Sequence, residues 1–528
     1  MKKIVNKKTA VLLTCLVVAL AGCGEAGKTD ATPTPVPTNT AAPTTTTAPT
    51  EAAEPTSTTA PTEAPTPEPT ATSTPTPEPT ATSTPTPEPT ATPTTAPAGA
   101  EITASNAKIE SVTIQDAHTI LVTLNGYLKN ADPDTVSFST YNLDWTSYKE
   151  VKGTLTVEDS SFTTNEDGKT VLVYTVKETL RNSSVVIPKK VSNFSNLNSA
   201  ITLADNYITW QMEHGGWDKG IDGKTAWTEG QKKNKGSGWT GKNGEMIGTI
   251  DNEGTYTQIR HIAAVYREVP DAKYQESVLK GLDFLFNLQY ESGGFAQVYP
   301  KRGNYSDMVT FNDNAMINVL YMLEDALYGR YPFDSDIIPA DYKVKLQDSI
   351  ARAVDYILKS QIVSQGKLTA WCAQHDPVTY EPVAARAYEL ASISGCESVP
   401  IIQFLMNQEQ TPEIKTAVEA AIAWLKESEL TDIEYVRKAS DGNYFKTTAG
   451  HRNWYRFYEI DTNLPIFCDR DGIMKHDIME IGEERRHGYA WAGDWAKKLL
   501  PAYDKYGYIT GTITATFAGN NATYTIGQ

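Results

Sequence analysis

The chain has 528 residues, and 18 of its 30 prolines fall between Pro33 and Pro97, so only the part from about Ala100 onward needs a packed core. A formal net charge of −17, from 47 Lys+Arg against 64 Asp+Glu, excludes a general nucleic-acid binder. It leaves room for an anionic ligand, because local basic residues or a bound cation can reverse the field of a site. Five cysteines without a CxxC pair exclude a zinc or disulfide scaffold.

The first 22 residues give an address. Met1 to Lys8 carries four lysines, and Thr9 to Leu20 is an apolar run too short to span a bilayer permanently. The run ends in Leu20-Ala21-Gly22-Cys23, which resembles the lipobox of bacterial lipoproteins and implies lipidation at Cys23. An ordinary export signal with a chance cysteine is the alternative. The expectation is an exported protein, lipid-anchored to the membrane at the bacterial cell surface, with its folded domains extracellular.

Residues 23–100 are mostly Thr, Pro, Ala and Glu, with the unit TPEPTATSTP repeating from Thr66. Such a composition lacks the apolar side chains that offset ordering entropy, and proline biases it toward extended polyproline II. At roughly 3.1 Å per residue this linker reaches up to about 200 Å from a membrane. Once Cys15 and Cys23 are set aside, Cys372, Cys396 and Cys468 permit at most one bridge.

Residues 101–192 read as β. His118–Asn125, Gly153–Val157 and Thr170–Val176 mix alternation with β-branched residues, and Asn165-Glu-Asp-Gly168 is a turn. Strands at this spacing suggest a small β-sandwich, and the stretch from Ile109 to Asn125 resembles bacterial surface Ig-like repeats. It carries no binding signature and reads as a spacer, with a carbohydrate-binding module as the other reading.

From residue 193 to 507 the periodicity turns helical. Thr411 and Pro412 are an N-cap and first-turn pair, followed by Ile414, Ala417, Val418, Ala421, Ile422 and Leu425 at helical spacing. Met316 to Leu327 and Ile350 to Leu358 carry similar stripes. A weak repeat runs through them. Gln211 is followed by Gly215-Gly-Trp217, Gln289 by Gly293-Gly-Phe295, and Gln361 by the degraded Gln365-Gly-Lys367. Repeated helix, glycine turn, loop and helix predict helix pairs wound into an all-α (α/α) toroid, with the glycines closing the first helix of each pair. Residues 508–528 form a strand-like tail with no assigned partner.

The repeat predicts a common rim carrying Asp251, Asp313 and Arg386, each just before the second helix of its pair. Taken singly, the two aspartates read equally as helix N-caps, and Arg386 as an ion-pair partner of Glu389.

The segment from about Asn206 to Gly507 resembles the family 10 polysaccharide lyases, pectate lyases built on an (α/α) toroid. The matching stretches are Gly215-Gly-Trp-Asp-Lys219, Gly248-Thr-Ile-Asp-Asn252, Gln297-Val-Tyr-Pro300, Thr310-Phe-Asn-Asp-Asn314, Trp371-Cys-Ala-Gln-His375, Ala385-Arg-Ala-Tyr-Glu389, Trp454-Tyr-Arg-Phe-Tyr458 and Asp469-Arg-Asp-Gly472. The resemblance implies calcium-dependent anti β-elimination on polygalacturonate or pectin, giving unsaturated oligogalacturonates, by a protein expected to be a monomer. It implies Asp251 and Asp313 as calcium ligands, since calcium takes oxygen donors, with Asn252 a weaker one that also reads as a substrate contact or a helix cap. Arg386 matches the residue regarded in that family as the base, against the ordinary acid strength of arginine; a guanidinium clamp on the sugar carboxylate is the other reading. Arg456 and Arg470 resemble the family's substrate-contact arginines, and Lys219 a further sugar-acid contact or a solvated lysine. His375 reads as structural or substrate-contacting, because no serine or cysteine motif accompanies it. Trp371 reads as sugar platform or core.

Two other classes stay open: a hydrolase on the same architecture, independent of calcium, and a surface pectin binder without turnover.

Overall fold

A computed structural model of the chain describes residues 99–181, 185–186, 194–507 and 511–526. The export segment, Cys23 and nearly all of the Pro/Thr-rich linker lie outside the described residues. Among the described residues no helix is long and apolar enough to cross a membrane.

The β domain is a sandwich of two four-stranded antiparallel sheets. One runs in the order Ile109–Ile114, Thr119–Leu124, Thr170–Val176, Val157–Thr164. The other runs Asn520–Ile526, Gly511–Phe517, Ser137–Asp144, Lys149–Thr154. Half of the second sheet therefore comes from the C-terminal tail, whose alternating Ile513, Ala515 and Phe517 point into a core shared with Val122, Leu124, Phe138 and Leu172. The helical part of the chain is inserted between strands of one sandwich.

Seven helices dominate the inserted part: α1 (Leu197–Trp210), α2 (Tyr256–Glu268), α3 (Ala272–Leu288), α4 (Ala315–Leu327), α5 (Ala340–Lys359), α6 (Ser398–Met406) and α7 (Pro412–Glu427). Consecutive helices pack as α1 on α2, α2 on α3, α4 on α5 and α6 on α7. Thr411 caps α7 by accepting from the Ile414 N–H, and the predicted stripes are buried. The β domain is tied directly to this core. Gln403 of α6 donates to the Trp145 carbonyl and the Tyr148 hydroxyl, both at 2.9 Å, and Arg181 pairs with the buried Glu324 of α4.

The expected all-α toroid is not what the chain forms. The inserted part is mixed α/β, because its inter-helix loops pair with one another as short antiparallel strands. Gly248–Thr249 pairs with Val298–Tyr299, Val309–Thr310 with Gln374–His375, and Ile393–Ser394 with Phe457–Tyr458. Leu430–Tyr435 and Phe445–Tyr455 form a long ladder to which Ala492–Gly493 adds. A buried loop must satisfy its backbone groups, and a neighbouring loop supplies the partners. Two-residue strands leave no alternation in the sequence to read.

The glutamine repeat has a specific structural role. The Gln211 amide donates to the Gly215 carbonyl and to Ser277 of α3; the Gln289 amide donates to Gly293 and to Ser349 of α5. Each glutamine thus pins its own turn to the first helix of the following pair. Gly215 and Gly293 do not cap helices; α1 and α3 end before them. They adopt φ of 96° and 102°, and a Cβ at either would lie about 2 Å from the Lys280 or Arg352 carbonyl. In the third copy Gln361 reaches Thr369 and Ala417 of α7 instead. The indole of Trp371 donates to the Ile357 carbonyl as that of Trp217 does to Tyr207. The third copy is therefore in phase through Trp371, four residues later than Gln365-Gly-Lys367 suggests.

Candidate active site

That phase places the site residues. The N–H groups of Thr249, Thr310 and Ser394 donate to the carbonyls of Trp217, Phe295 and Trp371 respectively. Asp251, Asp313 and Glu397 follow these three positions by two or three residues. The third residue of the rim is thus Glu397, just before α6, whereas Arg386 stands in the preceding loop, well ahead of the helix. Sequence reading missed Glu397 because the repeat was phased on the wrong glycine.

The two aspartate loops are short 3-10 turns with backbone in the left-handed region: φ is 46° at Asn252, 53° at Asp313 and 60° at Asn314. Non-glycine residues held there cost about 1–3 kcal/mol each, and such strain gathers at functional sites. Neither aspartate side chain caps a helix, which removes the N-cap reading.

Lys219, Asp251, Asn252, Asp313, Arg386 and Arg456 line one cavity of about 220 Å³. Lys219 Nζ lies 2.7 Å from Asp251 Oδ2. Asp313 Oδ1 is buried without a hydrogen-bond partner, 3.9 Å from Arg456 Nη2. Burial raises the Asp313 pKa to about 6, with Glu397 and Asp251 adding to the rise and Arg456 opposing it. Arg456 is almost fully buried, donates to Glu397 Oε1 at 2.6 Å, and lies over the Tyr489 ring at 4.8 Å.

Arg386 forks onto Glu389, whose Oε1 also accepts from the Tyr489 hydroxyl at 2.7 Å. The pair forms in a turn closed by the Glu389 N–H on the Arg386 carbonyl, without a helix. Burial pulls the Arg386 pKa down, yet hydrogen bonding to Glu389 and its charge leave it above the usual arginine value. Tyr489, Glu389 and Trp239 also line the cavity. Trp239 sits in a loop with no period, and Tyr489 lies about a hundred residues from its partner, so neither announced itself.

Two expected contacts lie elsewhere. His375 is fully buried behind the wall: its Nε2 accepts from the Cys372 N–H at 2.9 Å and its Nδ1 meets the Tyr380 carbonyl at 2.8 Å. Both ring nitrogens are used inside the protein, and the ring has no exposure. Arg470 is outside the cavity wall, exposed and paired with Glu484 at 3.0 Å, though its guanidinium approaches Tyr388, whose ring also meets Arg386. Trp371 is core, with no exposure. Cys372 and Cys468 are buried free thiols.

The cavity thus combines oxygen donors for a hard cation with fixed positive charges for an anion. Charge that develops on a bound carboxylate would meet preorganised cations there.

Residues 211–500 match the family described as pectic acid lyase. The family 10 polysaccharide lyase from Cellvibrio cellulosa is 39% identical, with a TM-score of 0.53, over 59% of this chain and 95% of that one. A mutant of that enzyme, solved in complex with trigalacturonic acid, matches at the same identity and TM-score over 96% of its length. No curated protein matches the chain. With more than half of its residues inside the match, this chain belongs to the pectic acid lyase family, and it is a lyase acting on polysaccharides.

Proposed function

We propose that the chain cleaves polygalacturonate by calcium-dependent anti β-elimination at this cavity, releasing unsaturated oligogalacturonates. The observation that carries the reading is the convergence of Asp251 and Asp313 with Lys219, Arg386 and Arg456 on one small cavity. The trigalacturonate bound by the Cellvibrio lyase supports the choice of sugar.

The residues present fit calcium as a shared ion rather than as a caged one. Among the described residues no group of three or more His, Cys, Asp or Glu stands ready for a metal. Asp313 Oδ1, Gln297 Oε1 and Gln374 Oε1 are buried oxygens without a partner, and all three side chains belong to the cavity wall. Asp251 and Asp313 would hold the ion, and the remaining oxygens it requires would come from the substrate carboxylate and water. Bound calcium supplies Lewis-acid polarisation of that carboxylate, which acidifies the C5 proton.

The chain's own residues do the rest. Arg456, held rigid by Glu397, presents a fixed positive charge to the sugar acid. Arg386 stands at the reacting sugar, where it stabilises the enolate-like charge as the C5–H bond breaks. To take the proton as base it must first give up one of its own, which the hydrogen bonds to Glu389 and the Glu389 charge oppose. The electron pair of the C5–H bond then forms the C4=C5 double bond as the C4–O bond breaks, and the departing sugar oxygen takes a proton from water.

Export, lipid attachment at Cys23 and a cell-surface location complete the proposal and rest on the sequence of the first 23 residues. The test is ultraviolet absorbance of the purified protein acting on polygalacturonate, with calcium and then with a chelator. A growing unsaturated-product chromophore that stops on chelation is expected. Reducing ends without the chromophore would mean a hydrolase, and no turnover would mean a binding protein.

A further inference from the structure

Lys219 is clamped by a loop that has no place in the proposed chemistry so far. The segment from Asn234 to Trp239 folds back over Asp218 and Lys219. Asp218 is buried, and its carboxylate takes both the hydroxyl and the N–H of Ser237. The Asn234 amide donates to the Trp239 carbonyl at 2.6 Å. Gly236 passes so close that a Cβ there would lie 1.9 Å from the Lys219 carbonyl oxygen. These contacts deliver the Trp239 ring to the cavity wall, with Lys219 Nζ 3.7 Å from its centroid. The same ring meets the Arg302 guanidinium at 4.3 Å.

One ammonium is therefore shared between an indole face and Asp251 Oδ2, 2.7 Å away. Asp251 is nearly buried, and a buried carboxylate left without a partner is costly. The ammonium serves that need whenever no metal is present. A divalent ion and an ammonium cannot both hold the same oxygen, since their like charges would stand within a few ångströms of each other. The indole face, already 3.7 Å from the ammonium, goes on holding it once Asp251 is taken by the ion.

We propose that Lys219 is a stand-in cation for Asp251, and that Trp239 is the positioning residue which retains it when a divalent ion arrives. Ion binding and the release of Lys219 toward a sugar carboxylate are then one exchange. The ion is held loosely until an anionic substrate accepts the freed ammonium. The inference rests on the calcium reading of the same site.

Calorimetric titration of the full-length chain with calcium chloride, with and without galacturonate trimer, tests it. Without trimer, Lys219→Gln binds calcium roughly tenfold more tightly than the wild type, because the competing charge is gone. With calcium present, the same variant binds the trimer more weakly. Trp239→Ala shifts calcium affinity the opposite way, since the displaced ammonium has lost its resting place, and Trp239→Phe restores most of it. A purely structural role for the loop would weaken calcium binding in both Lys219→Gln and Trp239→Ala, and that result overturns the exchange. So does an unchanged affinity in Lys219→Gln. A wild type that binds no calcium even with trimer overturns the calcium reading itself, and the chromophore assay then decides independently whether elimination occurs.

Discussion

Glu389 holds Arg386 by a fork, with Nε 2.7 Å from Oε2 and Nη2 2.5 Å from Oε1. The pairing keeps the guanidinium protonated and oriented, and those two effects act oppositely on a base. Glu389→Gln removes the charge and leaves a hydrogen-bond acceptor. If Arg386 takes the C5 proton, its proton affinity is what limits the rate below its pKa, and lowering that affinity moves the acidic limb of the kcat profile to lower pH. We expect this shift, measured by product absorbance against pH. An unmoved limb with a lower kcat would assign Arg386 to clamping the carboxylate. Arg386→Ala should lower kcat by about 10²–10³ in either role, the usual loss for a group that stabilises developing charge.

His375 makes acid stability a second measurable. Burial lowers its pKa from 6.5 to about 4. The unfolded chain therefore binds this proton more readily than the folded one across that window, and stability falls as pH drops from about 6.5 toward 4. The full effect is about 3 kcal/mol, as protonated Nε2 can no longer accept from the Cys372 N–H. Urea denaturation at pH 7 and pH 5 should show wild type losing about 2 kcal/mol more than His375→Gln. Equal losses in the two proteins would show that other groups carry the acid sensitivity.

The C-terminal strands yield a third prediction. Ile513 is fully buried in the sandwich core and sits opposite Thr140 in the sheet. Ile513→Ala should cost about 2–4 kcal/mol by cavity formation. Its lower denaturant midpoint should appear in a probe of the β domain, such as Tyr174 exposure. A midpoint unchanged within error would mean that the last strands add nothing to the sandwich.

Legibility followed the length of the signal. Long helices with caps, such as Thr411 to Glu427, could be read because each apolar residue repeats the same message. So could Thr170–Val176, a seven-residue strand. The two-residue strands that make the inserted part mixed α/β could not, since their pairing is decided by distant loops. At the site, Asp251 and Asp313 share a local repeat and were found together, while Glu397 was hidden by four extra residues between Gln361 and Trp371. Arg456 rested on motif resemblance alone, and Arg386 on that resemblance together with a repeat phase that the structure gives to Glu397 instead. Trp239 reaches the cavity only through Gly236 and the Asp218–Ser237 contacts, which no period encodes.

The repeat itself supplies the last prediction. Ser277 and Ser349 each donate a hydroxyl to the side-chain oxygen of their glutamine, Gln211 Oε1 at 2.9 Å and Gln289 Oε1 at 2.7 Å. In the third copy the helix offers Ala417, and Gln361 Oε1 is buried without a partner. An unsatisfied buried acceptor costs about 1–3 kcal/mol, whereas a hydrogen bond made in its place returns about 1 kcal/mol. Ala417→Ser adds one oxygen at the position where two sister helices already hold it. It should therefore stabilise the protein by about 1 kcal/mol, read as a higher urea midpoint with an unchanged slope. Ser277→Ala should recreate the same defect in the first copy, where Gln211 Oε1 accepts from that hydroxyl, and destabilise by a similar amount. If Ala417→Ser destabilises while Ser277→Ala behaves as expected, α7 lies too close to Gln361 to admit the hydroxyl, and the third copy has diverged in packing as well as in sequence.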